Sequence, residues 1–246
     1  METIQITDHA DGTTLITINR PQRRNAICAR TAIELQQAFD DFDRSEQRVV
    51  VLTGAGNDAF SSGADVSDLP ELWRCLPTVG IRTEKPVIAA VAGHCVGGAV
   101  VIAMMADLLV AADNARFSYP EAALGFTGGM IAGLAARIPH KVAMEMMLMC
   151  RVLDAHRAHH VGLANEVVPV GKQVDRALEL AREIATFSPV VLRTLKRFVT
   201  QGVLPQGPSE RMARANQDLL AVRQSDDAKE AVAAFRNKRR PRFTGR

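Results

Sequence analysis

Two apolar runs, each closed by a glycine-bearing turn, constrain this chain more than any other feature. Val49-Val50-Val51-Leu52 contains no charged or hydroxyl side chain and leads into Gly54 and Gly56. Val87 to Val91 repeats the pattern ahead of Gly93, and Leu108 to Ala111 is a third such run. A strand that is apolar at every position must be covered on both faces, as in a parallel sheet with crossover helices. Helical spacing precedes the first run, where Ala32, Leu35, Phe39 and Phe42 recur three or four residues apart. Thr13 to Asn19 adds a β-rich segment ending at the turn signal Arg20-Pro21. Strands alternating with helices predict an α/β fold with a largely parallel sheet.

Beyond about Glu166 the pattern becomes helical. Asp175 to Phe187 is amphipathic, and Ser188-Pro189 offers an N-cap and a first-turn proline. Ser225, Asp226 and Asp227 open a further helix. The expected organisation is an α/β core over residues 1–185 and a helical region over 186–246 that serves oligomerisation. With 246 residues one sizeable core can form, and with aromatics at 4% it must be built from Ala, Val, Leu, Ile and Met. No internal repeat or low-complexity tract stands out.

Composition narrows the function classes. A net charge of +3 is too small to imply a nucleic-acid partner. Cys28, Cys75, Cys95 and Cys150 lie far apart without a CxxC pair, which reads as reduced thiols in a cytoplasmic protein. Glu2, Asp8 and Asp11 mark a strand-like start without a targeting pattern. Pro86 to Ala106 lacks charge over a membrane-spanning length, but Gly93, Gly97, Gly98 and His94 divide it, so strand, turn and buried helix are expected instead. His156, His159 and His160 share helical spacing with no carboxylate or cysteine grouped beside them, so no metal is expected. The Met144 to Met149 stretch reads as core or subunit contact, and the basic end from Arg236 to Arg246 as a solvated tail.

The chemistry-bearing segments are Phe60-Ser61-Ser62-Gly63-Ala64-Asp65 and Gly93-His94-Cys95-Val96-Gly97-Gly98. Both are read as strand-to-helix turns, whose unpaired N–H groups and dipole favour negative charge. Two such donors converging on one oxygen make an oxyanion hole. Arg23 and Arg24 carry guanidinium forks suited to phosphate oxygens, although an ordinary solvated turn explains them equally well.

With these segments in place, the chain resembles the crotonase (enoyl-CoA hydratase/isomerase) superfamily nearly end to end. The resemblance runs through Ile18 to Pro21, Asn25-Ala26, Val51 to Gly54, Phe60 to Asp65, Lys85 to Val91, Gly97-Gly98 and Phe117 to Glu121. It continues in Gly162-Leu163, Val167 to Pro169, Ser188-Pro189 and Arg239 to Phe243. It implies a crotonase-like ββα superhelical core with a C-terminal helical region, assembled as a homotrimer or homohexamer. The implied substrate is a coenzyme A thioester, with no permanently bound cofactor. The implied oxyanion donors are the N–H groups of Ala64 and Gly98. The implied substrate-binding residues are Arg24, Ala26, Ser62, Asp65 and Val66, with His94 and Gly129 flanking the site.

The family's hydratases use two glutamates. The later one matches Glu121, and the earlier falls on Val101, which moves no proton. Retention of only the later glutamate resembles the family's double-bond isomerases, so a single-carboxylate proton shuttle is expected, with a raised Glu121 pKa in apolar surroundings. A hydratase remains an alternative, as does a decarboxylase or lyase using His94 or Tyr119. A catalytically weak scaffold or RNA binder on the same fold is the alternative from another class. Gly125 to Met130 departs from the usual proline-glycine turn, and Asp65 to Lys85 is short, so acyl chain length does not carry over.

Overall fold

The computed structural model describes residues 3–246; Met1 and Glu2 lie outside the described residues. Ten strands form two sheets. They are β1 (Ile4–Asp8), β2 (Thr13–Ile18), β3 (Val49–Gly54), β4 (Ala59–Ser61) and β5 (Val87–Val91), then β6 (His94–Val96), β7 (Leu108–Ala112), β8 (Arg116–Ser118), β9 (Leu153–Asp154) and β10 (Glu166–Val168). The helices of the first part are α1 (Ala29–Arg44), α2 (Gly98–Met105), α3 (Glu121–Leu124), α4 (His140–Met149) and α5 (Ala155–His160). Those that follow are α6 (Gln173–Ala185), α7 (Pro189–Phe198), α8 (Pro208–Gln224) and α9 (Asp226–Arg236).

The large sheet has the order β1-β2-β3-β5-β7-β10 and is parallel except for the β1–β2 pair. Its central strands β3, β5 and β7 are apolar except at Thr53, because alternate residues serve two cores. Val49 and Val51 of β3 meet Ile88, Ala90 and Val110, together with Ala177, Leu178 and Ala181 of α6. Val50 and Leu52 point the other way, toward Leu35, Phe39 and Phe42 of α1. The period of two along each strand thus assigns one helix to each face.

The second sheet, β4-β6-β8-β9, has strands of two or three residues and no amphipathic signature to announce it. It organises the chain into three successive units. Each unit runs from a strand of the large sheet to a strand of the small one: β3 to β4, β5 to β6, and β7 to β8. The last two then enter α2 and α3, whereas β4 enters an irregular segment whose one regular element is a 3-10 turn, Leu72–Cys75. This corrects the expectation of two strand-to-helix turns. Ala64 opens no helix and instead forms an isolated bridge with Ile27. The Gly93 to Gly98 stretch contains β6, so only Gly98 stands at a helix start.

Pro86 to Ala106 resolves into β5, β6 and α2, and among the described residues no helix is long and apolar enough to cross a membrane. Ser225 caps α9 through its hydroxyl, 3.0 Å from the Ala228 N–H. Ser188 precedes Pro189 as expected but makes no side-chain cap bond. The basic end folds back on α9, where Glu230 pairs with Arg239 and accepts from the Arg242 N–H.

The seam between α1 and the sheet tests this account most simply. Phe39 is 1% exposed and meets Phe42 edge-on, with ring centroids 6.5 Å apart. Phe39→Ala is expected to cost about 3–5 kcal/mol of folding stability, read as a lower denaturant midpoint.

Candidate active site

The three units bring their second-strand ends to one place. Gly63 follows β4, Gly97 follows β6, and Glu121 follows β8. Gly97 donates its N–H to the Ser118 carbonyl at 2.9 Å, tying the second junction to the third. A Cβ on Gly63 would lie 2.7 Å from the Val96 carbonyl oxygen and 3.6 Å from the Gly98 nitrogen. The Gly63–Ala64 and Gly97–Gly98 peptides are therefore neighbours, and glycine makes the approach possible at φ of +86° and +59°. Among the described residues neither the Ala64 nor the Gly98 N–H has an acceptor, while the N–H groups of Gly63, Asp65 and Gly97 all do. Two unpaired donors on adjacent peptides can hold a developing negative charge on one ligand oxygen.

Glu121 faces the same peptides. Its Oε1 lies 2.7 Å from where a Gly97 Cβ would be, so a side chain there would press on the carboxylate. The carboxyl group is buried, and among the described residues Oε2 has no hydrogen-bond partner. Burial pushes its pKa above the ordinary carboxylate value, against a smaller opposing effect of its own backbone N–H. Beside it, the Tyr119 hydroxyl meets Thr127 Oγ1 at 2.6 Å, and that oxygen accepts from the Gly129 N–H at 3.0 Å. Burial raises the Tyr119 pKa, and the nearby Glu121 charge adds to the effect. Val101, one helical turn beyond Gly97, is buried at 2% exposure.

The segments 24–26 and 62–66, proposed from sequence to meet substrate, lie together. Asn25, at φ +55°, donates to the carbonyls of Ala55 and Ala59 at 3.0 and 2.7 Å and accepts from the Arg20 N–H. Ser62 N–H reaches the Arg24 carbonyl at 2.9 Å, which sets Arg24 and Ala26 beside Ser62. Arg24 is exposed, Ala26 is buried, and Val66 is 78% exposed. The Asp65 carboxylate is occupied internally. It accepts from Ser67 and pairs with Arg20 at 3.0 Å, and the Ser67 bonds first among several causes hold its pKa low. His94, by contrast, is exposed at the first residue of β6, beside Arg116 and at the end of the strand opposite Gly97.

Arg20 and Lys85 lie in segments that the sequence marks, but the sequence assigns neither a role. Arg20 donates to the Ala26 carbonyl as well as to Asp65, bracing both halves of this region. Lys85 is buried, and its Nζ donates to the Phe42 and Ser45 carbonyls at the end of α1. A charged residue next to a turn proline has an ordinary surface reading, so neither role was legible.

The histidines of α5 go separate ways: His156 pairs with Asp113, and His159 meets the Ala164 carbonyl. A cavity of about 520 Å³ lies away from Glu121, between Met104, Leu109 and Leu163 and the Leu192, Leu195 and Val199 face of the C-terminal helices.

The Glu121 pKa has a consequence for stability. The folded protein holds this proton more tightly than the unfolded chain, so the group's contribution falls as pH rises from the ordinary value of 4.5 through the folded pKa. Above that range the charged, buried carboxylate is a constant cost. Glu121→Gln removes it, so the variant should melt higher than wild type at neutral pH. Calorimetry across pH should show the gain shrinking toward and below pH 4.5.

Comparison with known proteins agrees with this architecture. The sequence profile described as enoyl-CoA hydratase/isomerase matches residues 8–246. The crystal structure of carnitinyl-CoA hydratase from Mycobacterium avium superposes with a TM-score of 0.77 at 31% identity, covering 100% of both chains. Enoyl-CoA hydratase from Mycobacterium tuberculosis gives 0.76 at 34% identity, again over 100% of both chains. A profile spanning nearly the whole chain, on a matching fold, places this protein in the enoyl-CoA hydratase/isomerase family of the crotonase superfamily.

Proposed function

We propose that this chain moves the double bond of a 3-enoyl-CoA into conjugation with the thioester, using Glu121 as its only proton carrier. The observation that carries the reading is one buried carboxylate with an unpartnered oxygen, set against a peptide beside two acceptor-less N–H groups. In this scheme the Ala64 and Gly98 N–H groups donate to the thioester oxygen. Glu121 takes the α-proton, and the C–H electron pair enters the enolate. The electrons of the β,γ double bond then capture the same proton at the γ-carbon, leaving an α,β double bond and a regenerated carboxylate. The raised pKa of Glu121 narrows its gap to the weakly acidic C–H bond. No resident cofactor is needed for such acid–base chemistry.

Val101 supports isomerisation over hydration. It shares the helix face of Gly97, where a second carboxylate would be needed to share activation of a water, and offers only methyl groups. Hydration is the second reading, favoured by the hydratase names of both structural relatives. Decarboxylase or lyase chemistry through His94 or Tyr119 would show as product from malonyl-type or β-keto thioesters. The coenzyme is proposed to lie along Arg24, Ala26, Ser62, Asp65 and Val66, with Arg24 free to meet phosphate and His94 and Gly129 at the flanks. The exposed Val190, Val191, Leu195 and Phe198 of α7 fit burial in a homotrimer or homohexamer.

Mixing the protein with a 3-enoyl-CoA and following the ultraviolet absorbance of the conjugated product tests the reading. Conjugated thioester should form without comparable 3-hydroxyacyl-CoA, and Glu121→Gln should slow its formation on the order of 10²- to 10⁴-fold. Predominant hydration, or a variant as fast as wild type, would overturn it.

A further inference from the structure

Consecutive glycines at the start of α2 face two different groups. A Cβ on Gly97 would meet Glu121 Oε1, whereas a Cβ on Gly98 would overlap the Leu72 Cδ atoms. The space over the Gly97–Gly98 peptide is thus bounded by a carboxylate on one side and an isobutyl group on the other. We propose that Leu72 is the specificity-determining residue of the site and restricts it to short acyl groups. The inference rests on the reading above that the thioester oxygen meets the Gly98 N–H.

Leu72 is not at the tip of a free loop. The segment that carries it is braced from behind: Arg74 bonds to Gln36 of α1 at 3.0 Å and to Glu71 at 2.8 Å. Cys75, Leu76, Val79 and Ile81 are buried at 1% exposure or less. Gly80 lies so close to the Trp73 and Arg74 carbonyls that no Cβ fits there. The 3-10 turn Leu72–Cys75 is therefore held against α1, with Leu72 directed at α2. In this proposal an acyl chain whose reacting carbons lie beside Glu121 runs past this side chain. Each further methylene then competes with Leu72 for the same volume, and a braced turn yields little.

Calorimetric binding of butanoyl-, hexanoyl- and octanoyl-CoA tests the proposal. None of these saturated thioesters can be isomerised, so the series reads Leu72 whether or not the isomerase reading holds. Wild type should bind octanoyl-CoA about tenfold or more weakly than butanoyl-CoA. Leu72→Ala should close most of that gap, because each accommodated methylene is worth about fourfold in affinity. Leu72→Phe, which adds bulk at the same place, should extend the loss to hexanoyl-CoA and covers the case of an alanine variant that does not fold. Equal wild-type affinity across the series, no binding of any member, or a butanoyl-to-octanoyl ratio unmoved by both substitutions would overturn the proposal. Graded binding without turnover of any 3-enoyl-CoA would leave Leu72 as the selector while removing the isomerase reading.

Discussion

The parallel pairing of β4, β6 and β8 is the constraint on which the site depends. Each strand is three residues long, and none would hold its place alone. Their order follows from the large sheet, where β3, β5 and β7 lie side by side and feed them one by one. Once paired in parallel, the three strands end at the same edge. Ala64, Gly98 and Glu121 each fall two or three residues beyond such an end. Three groups separated by tens of residues in the chain are thereby brought to one pair of peptides. Ligand sites at the carboxyl ends of parallel strands follow the same logic in other α/β folds.

The cost of this arrangement is concentrated in Glu121. A carboxyl group with one oxygen unpartnered in a buried setting is worse solvated than in water, and its raised pKa records that. Nearby acids are treated differently: Asp65 is satisfied by Ser67 and Arg20, and its pKa is lowered. The carboxylates of the first and third junctions thus differ: Asp65 braces its surroundings, and Glu121 has the raised pKa that the proposed proton carrier needs. Glycines at 63, 97 and 98 serve the same end, since a side chain at any of them would strike a carbonyl, the carboxylate or Leu72.

Much of the fold was legible because burial on both faces leaves a distinctive mark. Val49 to Leu52 and Val87 to Val91 announced β3 and β5, and Ala32, Leu35, Phe39 and Phe42 announced the inner face of α1. Neighbouring short strands carry no such mark. Phe60 and Phe117 are fully buried in β4 and β8, but three residues are too few to show a period. That is why the sequence pattern alone suggests a helix entry at the first glycine segment. Glu121 and its neighbours were legible through family resemblance, because a lone glutamate after Tyr119-Pro120 has no period or spacing of its own. The bracing roles of Arg20, Asn25 and Lys85 depend on carbonyls brought near by tertiary folding, and no local pattern encodes them.

The central claim is that the Ala64 and Gly98 N–H groups, with Glu121 as base, make an enolate of a bound thioester. Its most direct measurement is α-hydrogen exchange of butanoyl-CoA in deuterated water, followed by nuclear magnetic resonance. This substrate has no double bond to move, so exchange isolates the first proton transfer. The account predicts α-deuteration catalysed by the wild-type protein and lost in Glu121→Gln. Bound butanoyl-CoA without exchange, or exchange undiminished in the variant, would contradict it.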